Sequence, residues 1–129
     1  MSEKLRILLA DDEPSIVKMV SKRLEVEGFQ VLVAMDGEEC LRKARTETPH
    51  LIILDLMLPK LSGYEVCALL KKDAAYQKIP IVMCSAKAQE KDEKIGLECG
   101  ADAYVRKPFK AQDLIQQIRS LVHPGGPPT

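Results

Sequence analysis

Residues 51–59 read Leu51-Ile52-Ile53-Leu54-Asp55-Leu56-Met57-Leu58-Pro59. Four apolar residues in succession, with no polar alternation, describe a strand buried on both faces. Such strands belong to parallel sheets with helices on either side. Working outward, comparable short runs occupy residues 5–10, 30–34, 79–85 and 103–106. Those beginning at Leu5, Leu51 and Ile79 are the most continuously apolar.

The stretches between the runs have helical spacing. Ile16, Val20 and Leu24 recur every four residues, with Gly28 placed to stop the helix. Asp36 with Glu39, and Ser62 with Glu65, are each spaced as a capping box. Val66, Leu69 and Leu70 supply the apolar face of a third helix. A weaker fourth helix spans about residues 89–99, with Ile95, Leu97 and Cys99 as its apolar side. Leu114, Ile115, Ile118, Leu121 and Val122 form the clearest stripe, in a fifth. The predicted fold is therefore α/β, a (βα)5 doubly wound five-stranded parallel sheet.

Composition bounds the function. The 129 residues suit one domain, and 46% apolar content is globular. Nineteen basic side chains balance nineteen acidic ones. A neutral chain carries no electrostatic footprint for nucleic acid or for an anionic membrane, so DNA binding would need another domain. Cys40, Cys67, Cys84 and Cys99 lie in apolar stretches without a C-x-x-C pair, which predicts buried reduced thiols rather than a zinc site. The start, Met1-Ser2-Glu3-Lys4, precedes an apolar run too short for a signal peptide or a membrane span. A cytoplasmic location is the expectation. Residues 1–123 are assigned to the domain, and the Pro/Gly-rich residues 124–129 to a tail or truncated linker.

Polar residues punctuate the ends of the strand candidates. Asp11 and Asp12 follow the first, Asp55 ends the third, Ser85 ends the fourth, and Lys107 follows the fifth. In an open α/β sheet the ligand site lies at the carboxyl ends of the strands, where strand order reverses. All five residues meet there if strands one, three, four and five are neighbours, which implies the order 2-1-3-4-5. Three carboxylates that close repel by roughly 4 kcal/mol per pair at an effective dielectric of about 20. A hard divalent cation, Mg2+, would relieve this through Asp11, Asp12 and Asp55, with the backbone carbonyl of Met57 completing the set. One Asp55 oxygen would stay free as a nucleophile, since carboxylates form acyl phosphates. Lys107 and the Ser85 hydroxyl would hold phosphoryl oxygens. His50 and His123 stand away from this cluster; His50 is expected in a surface loop at the opposite end, and His123 in the tail.

Asp11-Asp12, residues 54–59, Gly63, Ser85-Ala86, Gly100-Ala101, Tyr104 and Lys107-Pro108-Phe109 together resemble the signature of response-regulator receiver domains, over nearly all of residues 4–122. The resemblance implies a flavodoxin-like fold and supports the 2-1-3-4-5 order. It implies Asp55 as phospho-acceptor, Mg2+ as cofactor, and a phosphohistidine on a sensor histidine kinase or phosphotransfer protein as donor. It implies Ser85 and Tyr104 as a switch pair acting on the face of helix four, strand five and helix five. The chain would then be a two-component signalling module, not an enzyme beyond its own phosphorylation and dephosphorylation. A downstream effector protein or fused output domain would read its state.

Two rivals fit less well. A haloacid dehalogenase-type phosphatase needs a second acid two residues after the nucleophile, where Met57 stands. A flavodoxin-like cofactor binder needs a phosphate loop after strand one, where Asp11, Asp12 and Glu13 repel phosphate. Winged-helix transcription factors commonly read Gly-Ala-Asp-Asp-Tyr before strand five, but this chain reads Gly100-Ala101-Asp102-Ala103-Tyr104. The segment 71–79 is also long for that class. Both features lean toward a stand-alone receiver or the input module of another kind of regulator.

Overall fold

β3 (Leu51–Asp55) is the central strand, and all five of its residues are buried. The computed structural model describes residues 4–86 and 100–122. In it β3 lies between β1 (Arg6–Ala10) and β4 (Ile81–Ser85), with β2 (Gln30–Ala34) and β5 (Ala103–Arg106) outside them. Every pairing is parallel, and the order is 2-1-3-4-5, as predicted. The register aligns the carboxyl ends: Ala10 pairs with Leu54, Asp55 with Cys84, and Ser85 with Arg106.

Helices cover both faces. α1 (Pro14–Val26), α2 (Gly37–Glu47), α3 (Gly63–Lys71) and α4 (Ala111–Leu121) are the helices of the described residues. Alternate strand residues feed two cores. Leu8, Ile52, Leu54 and Met83 pack with Val66 and Leu70 of α3 and Cys40 and Ala44 of α2. Ile7, Leu9, Ile53 and Val82 pack with Val20 and Leu24 of α1 and Leu114 and Ile118 of α4. This explains the unbroken apolar runs, because neither face of the middle strands meets water.

Local signals mostly act as read. Gly28 takes φ +96° just past α1, and Phe29 N–H then donates to the Leu24 carbonyl at 3.0 Å. Ser62 and Glu65 form a complete capping box. Asp36 caps α2 through Glu39 N–H, but the Glu39 carboxylate takes the Met35 N–H at 2.7 Å instead of that of Asp36, so this box is half formed. Leu69, assigned to the buried face of α3, is 43% exposed; Cys67 fills the core position. Val122 is buried but lies one residue past α4. β4 begins at Ile81, not 79, because Pro80 has no N–H for the ladder and Lys71 Nζ takes the Ile79 carbonyl at 2.9 Å.

His50 is more than a loop residue. It donates its N–H to the Arg6 carbonyl and accepts the Arg6 N–H at Nδ1, both at 2.9 Å, at the end of the sheet opposite Asp55. The predicted helix over 89–99, with Cys99, and the tail with His123 lie outside the described residues.

Cys40, Cys67 and Cys84 are buried and in no disulfide, and burial pushes the Cys40 and Cys84 thiols up to about 12. Thiolate is the reactive species. Iodoacetamide at neutral pH should therefore leave these three unmodified in the native chain and label them in urea. Peptide mapping that finds them alkylated without denaturant would contradict this packing.

Candidate functional site at the carboxyl ends of the strands

The site is assembled by backbone bonds before any side chain is considered. Asp11 follows β1 and donates its N–H to the Ala34 carbonyl at 3.1 Å. Its Oδ1 accepts the Glu13 N–H at 2.9 Å, turning the chain into α1. Leu56 N–H donates to the Cys84 carbonyl at 3.0 Å, carrying the β3–β4 pairing one residue past Asp55. Lys107 N–H donates to the Ser85 carbonyl at 2.8 Å, which fixes the start of the β5–α4 loop beside the end of β4.

These anchors bring four charges together. Lys107 Nζ lies 2.8 Å from Asp11 Oδ2 and 3.1 Å from Asp55 Oδ2. Asp55 Oδ1 accepts the Met57 N–H at 2.9 Å. Asp11 and Asp55 are buried, whereas Asp12 is exposed. Asp12, Asp55, Met57, Ser85 and Lys107 line a cleft of about 380 Å3. Of the five strand-end residues, Asp11 is thus the one set behind the cleft wall. Burial pushes the Asp55 carboxyl above its ordinary range, against the pull of the Met57 N–H and Lys107. Burial opposes the charge of Lys107, but its bonds to Asp11 and Asp55 prevail and hold its pKa above the usual value.

Ser85 is fully buried at the end of β4. Tyr104 lies on the adjacent strand in register with Met83, partly buried against the α2–α3 core. The sequence placed Lys107 near the phosphoryl oxygens but gave no sign that it bridges Asp11 and Asp55. Glu13, read from the sequence only as an acid of the loop after strand one, also lines the cleft. Gly63 is explained by space: a Cβ there would overlap the Asp55 carbonyl oxygen and lie 2.9 Å from Leu56 Cα.

The donor set suits a divalent cation. Asp11, Asp12 and Asp55 each offer a carboxylate oxygen, all within 4.8 Å of one another. Lys107 pairs with two of them, and among the described residues no cation pairs with Asp12. Three carboxylates and one ammonium leave a net charge of minus two, which a hard dication balances.

Fold and site together define an open α/β domain with an acidic pocket at the switch point of its sheet. The chain belongs to the response regulator receiver domain family, whose model matches residues 7–119. It is 47% identical over 117 residues to the alkaline phosphatase synthesis transcriptional regulatory protein PhoP of Bacillus subtilis, covering 91% of this chain and 48% of that protein. It is 44% identical over 115 residues to the DNA-binding response regulator MtrA of Mycolicibacterium smegmatis, covering 89% and 49%. The chain thus spans about half the length of these curated relatives. Among solved structures, chemotaxis protein CheY4 of Vibrio cholerae superposes with a TM-score of 0.86 at 29% identity, covering 93% of this chain and all of that one. The receiver domain of Francisella response regulator 1452 gives 0.85 at 30% identity, covering 91% and 95%. The protein is therefore a receiver domain of the two-component type, with a role in signalling. No helix among the described residues is long and apolar enough to cross a membrane.

Proposed function

We propose that Asp55 accepts a phosphoryl group in a Mg2+-assisted reaction and that Ser85 and Tyr104 transmit the change. The observation that carries this reading is the Asp55 carboxylate, held between the Met57 N–H and Lys107 Nζ at the wall of a cleft that also presents Ser85. Asp11 does not line the cleft, and among the described residues no partner orients the exposed Asp12.

The residues divide the work. An Asp55 oxygen forms the new P–O bond as the bond from phosphorus to the donor breaks. With a phosphohistidine donor, the electron pair leaves with the imidazole nitrogen, which takes up a proton. Lys107 supplies positive charge where the phosphoryl oxygens arrive, and the Ser85 hydroxyl offers a hydrogen bond from β4. Asp11, Asp12, Asp55 and the Met57 carbonyl are the proposed metal ligands. When bound, Mg2+ neutralises the pocket and the incoming phosphoryl charge. No other enzymatic activity is assigned to the chain.

The domain is taken as residues 1–123, with 124–129 as tail or linker, in a cytoplasmic protein. A sensor histidine kinase or phosphotransfer protein is the proposed donor. The switched face comprises the helix predicted over 89–99, β5 and α4, and a downstream effector or fused output domain would read it, without contact of this domain with DNA or membrane. The names of the relatives favour a DNA-binding output in a longer protein, whereas Ala103 departs from the pattern common in that class. Asp102 beside it is engaged internally, accepting the Ile81 N–H at 2.8 Å and pairing with Lys71 at 3.1 Å. The test of the proposed function is incubation with acetyl phosphate and Mg2+, followed by intact-mass measurement. A single phosphoryl adduct is expected, and an unlabelled chain refutes the reading.

Decay of that adduct should be slow. Loss of the phosphoryl group needs a water in line behind phosphorus. Met57 is 59% exposed at the mouth of the cleft and has no group to orient such a water. Lys87, whose structure lies outside the described residues, carries only donors. The double variant Met57→Asn, Lys87→Glu should release phosphate several-fold faster in Mg2+. Equal or slower release with the fold intact would show that these positions have no such kinetic role.

A further inference from the structure

The loop from Leu56 to α3 is gripped from two sides. On one side Gly63 N–H donates to the Leu56 carbonyl at 2.9 Å, and its lack of a side chain lets α3 rest on the backbone of Asp55. On the other side the opening turn of α2 closes onto the loop. Gly37 N–H donates to the Pro59 carbonyl at 3.0 Å, and Lys60 Nζ lies 3.6 Å from Asp36 Oδ2. A Cβ on Gly37 would overlap the Leu61 carbonyl oxygen and come within 2.6 Å of Leu61 Cβ. Lys60 itself takes φ +70°, a left-handed conformation that a non-glycine residue holds only where its surroundings enforce it. Helix propensity does not account for a glycine at the start of α2, because alanine is the better helix former. Close contact with the loop does.

We propose that Gly37 is a positioning residue for the phosphorylation site: the opening turn of α2 holds the 59–61 corner, and through it Met57, whose N–H fixes Asp55. Gly37 touches no reacting group, so its effect passes through the loop. The inference rests on the reading of Asp55 as acceptor in a metal-assisted site. A side chain at residue 37 pushes on Leu61 backbone, which has no flexible end to give way. The displacement then travels along the loop toward Met57, and the proposed Met57 carbonyl and the Met57 N–H both leave their places around Asp55. Displacing the groups that hold a metal's ligands in place weakens such sites by about tenfold to a hundredfold.

The experiment is a Mg2+ titration of the whole chain, followed by the backbone amide NMR signal of Met57, at temperatures where each variant is fully folded. Gly37→Ala should raise the Mg2+ dissociation constant about tenfold. Ala44→Gly, which weakens the same helix near its other end, should leave it unchanged. Unaltered Mg2+ affinity in Gly37→Ala, or an equal loss in Ala44→Gly, overturns the proposal. A parent chain that neither binds Mg2+ nor takes up a phosphoryl group instead overturns the function on which it rests. Amide hydrogen exchange on the parent supplies a second test that needs no variant to fold. Added Mg2+ should slow exchange at Gly37 and Met57 by similar factors. Protection confined to Met57 means that the two are uncoupled and the proposal is wrong.

Discussion

Asp55→Asn should take up no phosphoryl group from acetyl phosphate in Mg2+, under conditions that label the parent chain once. The substitution keeps the volume at the end of β3, so the buried strand and its pairing with Cys84 are preserved. It removes the nucleophile, because an amide oxygen lacks the charge that attacks phosphorus. It also removes one of two acceptors: Asn can take the Met57 N–H or face Lys107 with its oxygen, but its NH2 group cannot accept from the other. The intact mass reports the outcome directly. Equal labelling of the variant would move the acceptor to Asp12 or Glu13, the other carboxylates that line the cleft.

Removal of Asp12 should separate metal binding from folding. In the parent, Mg2+ at about a hundred times its dissociation constant stabilises the native state by about 2.7 kcal/mol. For a domain of this length that is a rise in Tm of roughly 10 °C. Asp12→Ala should abolish most of that rise, since Lys107 already claims one oxygen from each of the other two carboxylates. In the absence of metal the same variant should melt no lower than the parent. Asp12 is exposed, pairs with no cation among the described residues, and adds to a pocket whose net charge is already negative. Thermal unfolding with EDTA and with Mg2+ measures both halves. A parent that does not respond to Mg2+ would refute the acidic-pocket reading. A metal-free variant that melts well below the parent would mean that Asp12 supports the fold.

Much of the site was legible because its residues fall where periodic patterns end. Asp55 closes an unbroken apolar run, and Asp11, Ser85 and Lys107 each stand at the edge of another. Given a parallel sheet, these ends must share one side of the molecule. The departures came where tertiary contacts competed with local signals. Glu39 satisfies the amide of Met35 and not that of Asp36, because the chain leaving β2 brings Met35 within reach. Leu69 yields the core to Cys67 because α3 meets the sheet through Val66, Cys67 and Leu70. His50 is drawn into the pairing of β1 with β3, a contact between residues 44 apart in sequence.

The sequence by itself determined the alternation of strands and helices, the sheet class, and which side chains end each strand. Those properties follow from hydrophobic period and from turn chemistry, which act over a few residues. Only the tertiary structure decided how the charges are shared. Lys107 reaches carboxylates 96 and 52 residues away, and its choice of Asp11 and Asp55 over Asp12 depends on which of the three is buried beside it. The tertiary structure likewise decided that Gly37 stands against Leu61, where a side chain has no room. Pairing and exclusion of this kind depend on distances in space, and a local pattern carries no record of them.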